Sequence, residues 1–290
     1  LVAADLGCDP SDVLVCSTGL IGYYLPMPAV EKGIPPLVAA RRPHAGLEAA
    51  RAIMTTDTVP KEVSITVNGY TVGGMAKGAA MLAPDMATML AVLTTDAVAD
   101  PAALVGQLRE AVAGSFNALV VDGCTSTNDT VIVLANGRSG RPLETSALAE
   151  ACAELAEQMA ADAEGATKLA RIRVHGAASD DDARRGARKI AESQLVQCSL
   201  YGADPYWGRI ISQLGSAGIA LDPHRVSIAY GDVVVCRDGI AADHDEFAVV
   251  AHLASRHVHI TADLGLGDGR AAMLFTDLTP GYIDENMRTS

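Results

Sequence analysis

The chain has 290 residues, enough for one large domain or two ordinary ones, and its 49% hydrophobic and 20% charged composition excludes intrinsic disorder. A formal charge of −13 repels polyanions, so nucleic acid and anionic membrane are set aside as partners. No apolar run approaches the roughly 18 residues of a membrane span, and nothing in this sequence reads as a signal peptide.

Aromatic residues make up only 4%, so the core must be built from Ala, Val, Leu and Ile. The six cysteines (Cys8, Cys16, Cys124, Cys152, Cys198 and Cys236) form no C-x-x-C pair. Such spacing suits neither a zinc site nor a secreted disulfide framework. The expectation is reduced, mostly buried thiols in a cytoplasmic protein.

Residues 1–10 read as the interior of a folded chain, so the sequence is expected to begin after a missing N-terminal segment. Residues 13–16 read as a short apolar strand running into Ser17-Thr18-Gly19, and residues 46–54 as an Ala-rich helix. Residues 62–74 read as a hairpin: Val63, Ile65 and Val67 alternate, and Asn68-Gly69 supplies a type I′ turn. Residues 89–93 read as a buried strand.

A helix follows over 101–116, with Pro101 at its start. Strands at 119–121 and 130–134 flank the polar loop Thr125-Ser126-Thr127-Asn128-Asp129. An amphipathic helix spans 145–162 and a strand 169–175. The helix over 180–192 carries acids first and bases later, in keeping with its dipole. A helix over 207–214, a hairpin over 226–236, and strands at 259–264 and 271–278 complete the chain. The sequence between that last pair, Gly265-x-Gly267-Asp268-Gly269, reads as a hairpin turn and not as a phosphate loop, since no helix follows it. Strands and helices alternate but hairpins interrupt them, which favours an α+β layered fold over a purely parallel sheet.

The segment 75–90 bears chemistry. In Ala87-Thr88-Met89-Leu90 a small residue precedes a Thr, and apolar residues continue into a strand. Self-processing Thr enzymes use this local arrangement. The hydroxyl attacks the preceding carbonyl, the peptide becomes an ester, and water releases a new N-terminal Thr. The freed α-amine, with a reference pKa of about 7.7–8.0, can then act as general base for its own hydroxyl. An Ala-Thr pair in a strand is by itself ordinary, because β-branched Thr suits strands.

Context makes it specific. The run Lys77-Gly78-x-x-Met81-x-Ala83-Pro84-x-Met86-Ala87-Thr88-Met89-Leu90, with Thr94-Thr95-Asp96-Ala97 after it, resembles the signature of the ornithine acetyltransferase family (glutamate N-acetyltransferase, in some members also amino-acid acetyltransferase). Ser17-Thr18-Gly19-Leu20-Ile21-Gly22, Thr55-Thr56-Asp57-Thr58, Pro60-Lys61, Ser126-Thr127-Asn128-Asp129-Thr130, Glu164-Gly165, Asp204-Pro205-Tyr206-Trp207-Gly208-Arg209 and Glu285-Asn286 fit in the same order. The resemblance spans essentially the whole chain.

It implies a layered α/β/β/α-type fold shared with self-processing aminopeptidases, lacking the family's N-terminal part. It implies cleavage between Ala87 and Thr88: residues 1–87 end an α chain, and residues 88–290 form a β chain with a smaller α/β region from about 170. Thr88 would be the nucleophile, with the Thr18 hydroxyl and Gly19 N–H as oxyanion hole. Thr55, Lys77, Thr88, Glu164, Asn286 and Ser290 would hold substrate. Lys77 would suit an α-carboxylate and Glu164 an amino group. The implied reaction moves acetyl from N2-acetyl-L-ornithine to L-glutamate by ping-pong catalysis, in a cytoplasmic assembly of two α and two β chains. No metal or cofactor is implied, and acetyl-CoA is left open as a second donor.

The match departs from the family at Ala79-Ala80, where Ser-Gly is usual, at Asp85, where Asn is usual, and at the C-terminus, where either Thr289 or Ser290 could be the contact. Two other readings stay in play: a related self-processing amidohydrolase or aminopeptidase, and an inactive or non-catalytic chain. His257 and His259 alternate on a strand without an acidic or Cys partner at ligand spacing, so they are read as ordinary strand residues.

Overall fold

The structure, a computed structural model, describes residues 1–82 and 89–287. In chain order its first half runs α1 (Val2–Leu6), α2 (Met27–Ala39), α3 (Gly46–Ala52), β1 (Lys61–Val67), β2 (Tyr70–Lys77), β3 (Leu90–Thr95), α4 (Pro101–Ala113), β4 (Leu119–Val120), β5 (Thr130–Ala135) and α5 (Thr145–Ala161). The second half runs β6 (Leu169–Ala177), α6 (Asp180–Ala191), α7 (Gln194–Tyr201), α8 (Gly208–Ser216), β7 (Ser227–Tyr230), β8 (Val233–Arg237), β9 (Ile240–Ala241), α9 (Glu246–Ala254), β10 (His257–Asp263), β11 (Gly269–Thr276) and α10 (Pro280–Asn286).

Two mixed sheets result, ordered β1-β2-β3-β5 and β4-β11-β6-β10-β7-β8-β9. The α+β class holds. In the first sheet β1 and β2 form the hairpin expected from Asn68-Gly69. Both turn residues have positive φ, 49° and 84°, as a type I′ turn requires, and Val67 faces Tyr70. The helix α5 lies against β1 and β2 through Leu148, Cys152, Leu155 and Met159, a stripe at helical spacing that is fully buried. Leu119 and Leu274 of the second sheet join the same core. A second core, on the other side of the larger sheet, is closed by α6 to α9. The helix α6 is well specified: Ser179 caps it, its first turn holds three Asp, and its last holds Arg188 and Lys189.

Four expectations are corrected. Residues 13–16 form no strand; Leu14 and Val15 lie exposed, with no strand beside them among the described residues to take their backbone hydrogen bonds. Residues 265–269 are not a hairpin turn. β6 lies between β10 and β11, parallel to one and antiparallel to the other, so this segment crosses over the end of β6. The thiols are not mostly buried: Cys152 and Cys236 are, but Cys8, Cys124 and Cys198 are exposed. Finally, residues 27–39, 194–201, 246–254 and 280–286 form helices that hydrophobic periodicity did not single out; α2 even contains Pro35 and Pro36.

Candidate active site

Three adjacent strands of the first sheet bring their ends together. Lys77 ends β2 opposite Leu90 at the start of β3, and Leu90 pairs with Thr130 at the start of β5. Lys77, Met89 and Asp129 therefore meet at one edge of the sheet. Thr88 immediately precedes Met89 in sequence; it and Ala87 lie outside the described residues, as does Ser290.

Lys77 is buried, yet among the described residues its ammonium meets no carboxylate. Its one hydrogen bond among the described residues goes to the Thr55 hydroxyl, at 2.9 Å. Burial pulls its pKa below the usual lysine range, and the charge of Lys61 adds to this; the carboxylates of Asp57, Asp129 and Glu164 act the other way. A buried ammonium with donors to spare is costly unless an anion or another acceptor meets it.

Thr55 is held by a buried ion cluster. The Asp57 carboxylate accepts the Thr55 N–H at 3.1 Å, the Gly78 N–H at 2.8 Å and the Lys61 ammonium at 2.6 Å. Lys61 also reaches Asp162 at 2.5 Å, and Asp162 in turn accepts the Thr58 N–H at 2.9 Å. Burial alone would raise the Asp57 carboxyl, but these donors together hold it below the usual carboxylate range. One cluster thus fixes the loop carrying Thr55 and the turn after Lys77.

Gly78 has φ +148°, and there the chain leaves the sheet. Ala79, buried, accepts the Glu164 N–H at 2.9 Å, which fastens the Glu164 loop to this turn. The Glu164 carboxylate accepts from the Asn286 amide at 2.8 Å. Gly165 makes that approach feasible. It sits at φ +64°, and a Cβ there would lie 2.1 Å from the Tyr282 nitrogen. The Thr279 hydroxyl closes the contact on the Gly165 carbonyl at 2.6 Å.

Two carboxylates missed at the sequence level complete the edge. Asp122 accepts the Met81 and Leu82 N–H groups at 2.6 and 3.1 Å and the Tyr282 hydroxyl at 3.3 Å. Its pKa is raised by burial, against those hydrogen bonds. Asp129 accepts the Met89 N–H at 2.9 Å and borders a cavity of about 450 Å³ between α4 and the ends of β3 and β5. Burial pushes its carboxyl up to about 7, against the Met89 N–H and the charge of Lys77. Their sequence signals were slight: Asp129 sits in the polar loop singled out by resemblance, and Asp122 carried none.

The structure brings Thr55, Lys77, Glu164 and Asn286 into one connected edge. It does not tie the Ser17-Thr18-Gly19 turn to that edge: among the described residues no hydrogen bond joins Thr18 or Gly19 to the other site residues. Thr18 is half-buried, Gly19 is exposed, and a Cβ on Gly19 would meet nothing within 4 Å.

A family model described as the ArgJ family matches residues 1–289. The arginine biosynthesis bifunctional protein ArgJ of Mycobacterium tuberculosis is 49% identical over 284 residues, covering 95% of this chain and 69% of that protein. The protein of the same name from Thermobifida fusca is 47% identical over 289 residues, covering 98% and 75%. Among solved structures, arginine biosynthesis bifunctional protein ArgJ from Bacillus halodurans aligns with a TM-score of 0.64 at 37% identity, covering 67% of this chain and 95% of that one. With its family signature matched from end to end, this chain belongs to the ArgJ family.

Proposed function

We propose that the chain transfers the acetyl group of N2-acetyl-L-ornithine to L-glutamate through an acetyl-Thr88 intermediate, a cyclic step of arginine biosynthesis. Membership of a family of arginine-biosynthesis acetyltransferases supports the reaction class. The observation that carries the substrate class is the Lys77 ammonium, buried at the strand end beside Met89 with no carboxylate in contact among the described residues. Both substrates are α-carboxylates, and each would supply the missing partner.

The chain first cleaves itself between Ala87 and Thr88. The new α-amine takes the proton of the Thr88 hydroxyl as this attacks the acetyl carbon, and ornithine leaves. Glutamate then takes the same place and accepts the acetyl group. The Thr18 hydroxyl and Gly19 N–H stabilise the tetrahedral oxyanion. Lys77 and Thr55 hold the α-carboxylate; Glu164, oriented by Asn286, holds the amino group of the substrate, and Ser290 closes the site from the C-terminus. The working assembly is two α and two β chains in the cytoplasm. Among the described residues no helix is long and apolar enough to cross a membrane.

An exchange assay tests the reading. N-acetylornithine and glutamate should give N-acetylglutamate and ornithine in equal amounts, with no acetate released. Acetate formation without dependence on glutamate would instead identify a hydrolase. Repeating the assay with acetyl-CoA as donor reads whether a second donor is accepted.

A further inference from the structure

Asp129 is anchored by one oxygen only. Its Oδ1 accepts the Met89 N–H, and the Met89 nitrogen is the one that Thr88 acylates. The carboxylate is therefore hydrogen-bonded to the amide N–H that links Met89 to Thr88 in the chain. Its Oδ2 is buried and has no hydrogen-bond partner among the described residues. An ionised oxygen left in this way is costly, and a role confined to holding the Met89 N–H needs only the other oxygen.

The charged groups around it are few. Lys77 faces it from the end of β2, and Arg109 of α4 lines the same cavity. Asp57, Lys61 and Glu164 act on Lys77 in turn. Burial outweighs the favourable Lys77 charge and raises the carboxyl to about 7, so both of its protonation states are accessible near neutral pH.

We propose that Asp129 carries the proton in self-cleavage, taking it from the Thr88 hydroxyl and delivering it to the Thr88 nitrogen. This rests on the reading of Thr88 as nucleophile. In the first step a bond forms from the Thr88 Oγ to the Ala87 carbonyl carbon, and the bond from that carbon to the Thr88 nitrogen breaks. The hydroxyl proton passes to the Asp129 carboxylate and then to the departing nitrogen, so Asp129 ends as it began. In the second step water adds to the ester, frees the Ala87 carboxyl group and restores the hydroxyl. The sum is one water added across one peptide bond, with no other reactant.

Asp129→Asn separates the two roles, since Asn keeps a carbonyl oxygen for the Met89 N–H and loses the proton-carrying oxygen. The full-length protein is made by cell-free synthesis at a series of pH values, and cleavage is followed on denaturing gels and by mass spectrometry. The wild type should split at Ala87–Thr88 with a rate that rises through about pH 7. Asp129→Asn should be about 100-fold slower or worse and lose that inflection, whereas Asp129→Glu should recover part of the rate with a displaced inflection. An Asn variant cutting within about threefold of wild type, on an unchanged pH profile, overturns the proposal. Should that variant melt far below uncut Thr88→Ala, the Glu variant decides: wild-type rate with an undisplaced inflection overturns the role, and a displaced inflection supports it. A wild type that does not split at Ala87–Thr88 removes the reaction altogether; the wild-type lane alone thus separates failure of the Thr88 reading from failure of the Asp129 role.

Discussion

The Lys77 ammonium donates to the Thr55 hydroxyl across 2.9 Å, and a single carboxylate, Asp57, holds the backbone on both sides of that contact through Thr55 N–H and Gly78 N–H. Two segments of the chain are thereby locked together around the Lys77 ammonium. In the proposed function, preorganisation of this kind lets a substrate carboxylate meet its donors without a cost for ordering them.

Lys77→Met should therefore act on binding. Loss of a charge-assisted hydrogen bond costs about 1.5–3 kcal/mol, or roughly 10- to 100-fold in KM for both N-acetylornithine and glutamate. Lys77→Arg should not restore it, because the longer planar guanidinium cannot occupy a pocket shaped for an ammonium against Thr55. The pH dependence has a definite sign. Burial lowers the Lys77 pKa, so the cation, and with it carboxylate binding, should fade at a pH below the ordinary lysine range. Steady-state kinetics of both substrates across alkaline pH checks this; equal KM values for wild type and Lys77→Met would refute the anion site.

Stability should respond differently at the neighbouring lysine. Lys61 is buried between Asp57 and Asp162, and Lys61→Met leaves two carboxylates without their counter-ion. A loss of about 3–5 kcal/mol is expected, read as a lowered denaturant midpoint. Asp57 has a depressed carboxyl pKa in the folded state. Its contribution is thus complete above the unfolded carboxylate value of about 3.9 and lost as pH falls through the lower folded one. Acid titration of wild type and Asp57→Asn should show the two stabilities converging below about pH 4.

Thr88→Ala should give an uncut chain without transferase activity, and mass spectrometry of the wild-type β fragment should find Thr88 at its N-terminus. Two fragments from the Ala variant, or a different N-terminus in the wild type, would remove the mechanism.

What the sequence made legible follows the range of each interaction. The hairpin at Asn68-Gly69 was readable because both residues adopt positive φ for local reasons, and the α5 stripe because its periodicity lies within one segment. The turn at 265–269 misled: apolar alternation marks β10 and β11 as strands but does not say that β6 will lie between them. Thr55, Lys77, Glu164 and Asn286 were nameable only through family resemblance. The cluster of Asp57, Lys61 and Asp162, and the lone oxygen of Asp129, were not. Such groups are assembled across 101 residues for Lys61 and Asp162 and 40 for Met89 and Asp129, and buried charge leaves no period in a sequence.

The place of Gly165 in the Glu164-Gly165 motif has a physical reason. At φ +64° an Ala is strained, and its methyl would also drive into the Tyr282 and Gly281 backbone. The strain alone costs about 1 kcal/mol or more. The contact is relieved by moving the Glu164–Gly165 loop and the start of α10 apart, and α10 carries Asn286. Glu164 would then lose the amide that orients its carboxylate, while Lys77 and Thr55, on the other side of the Gly78 turn, stay as they are. Gly165→Ala should accordingly lower the melting temperature by several degrees, a shift of the size that about 1–2 kcal/mol produces in a chain of this length. It should also raise KM for the amino-acid substrates while self-cleavage still proceeds. Asn286→Ala, which removes the same hydrogen bond without touching the backbone, should reproduce the rise in KM but not the loss of stability. A Gly165→Ala protein with unaltered KM would separate α10 from substrate binding and leave Gly165 as a packing residue alone.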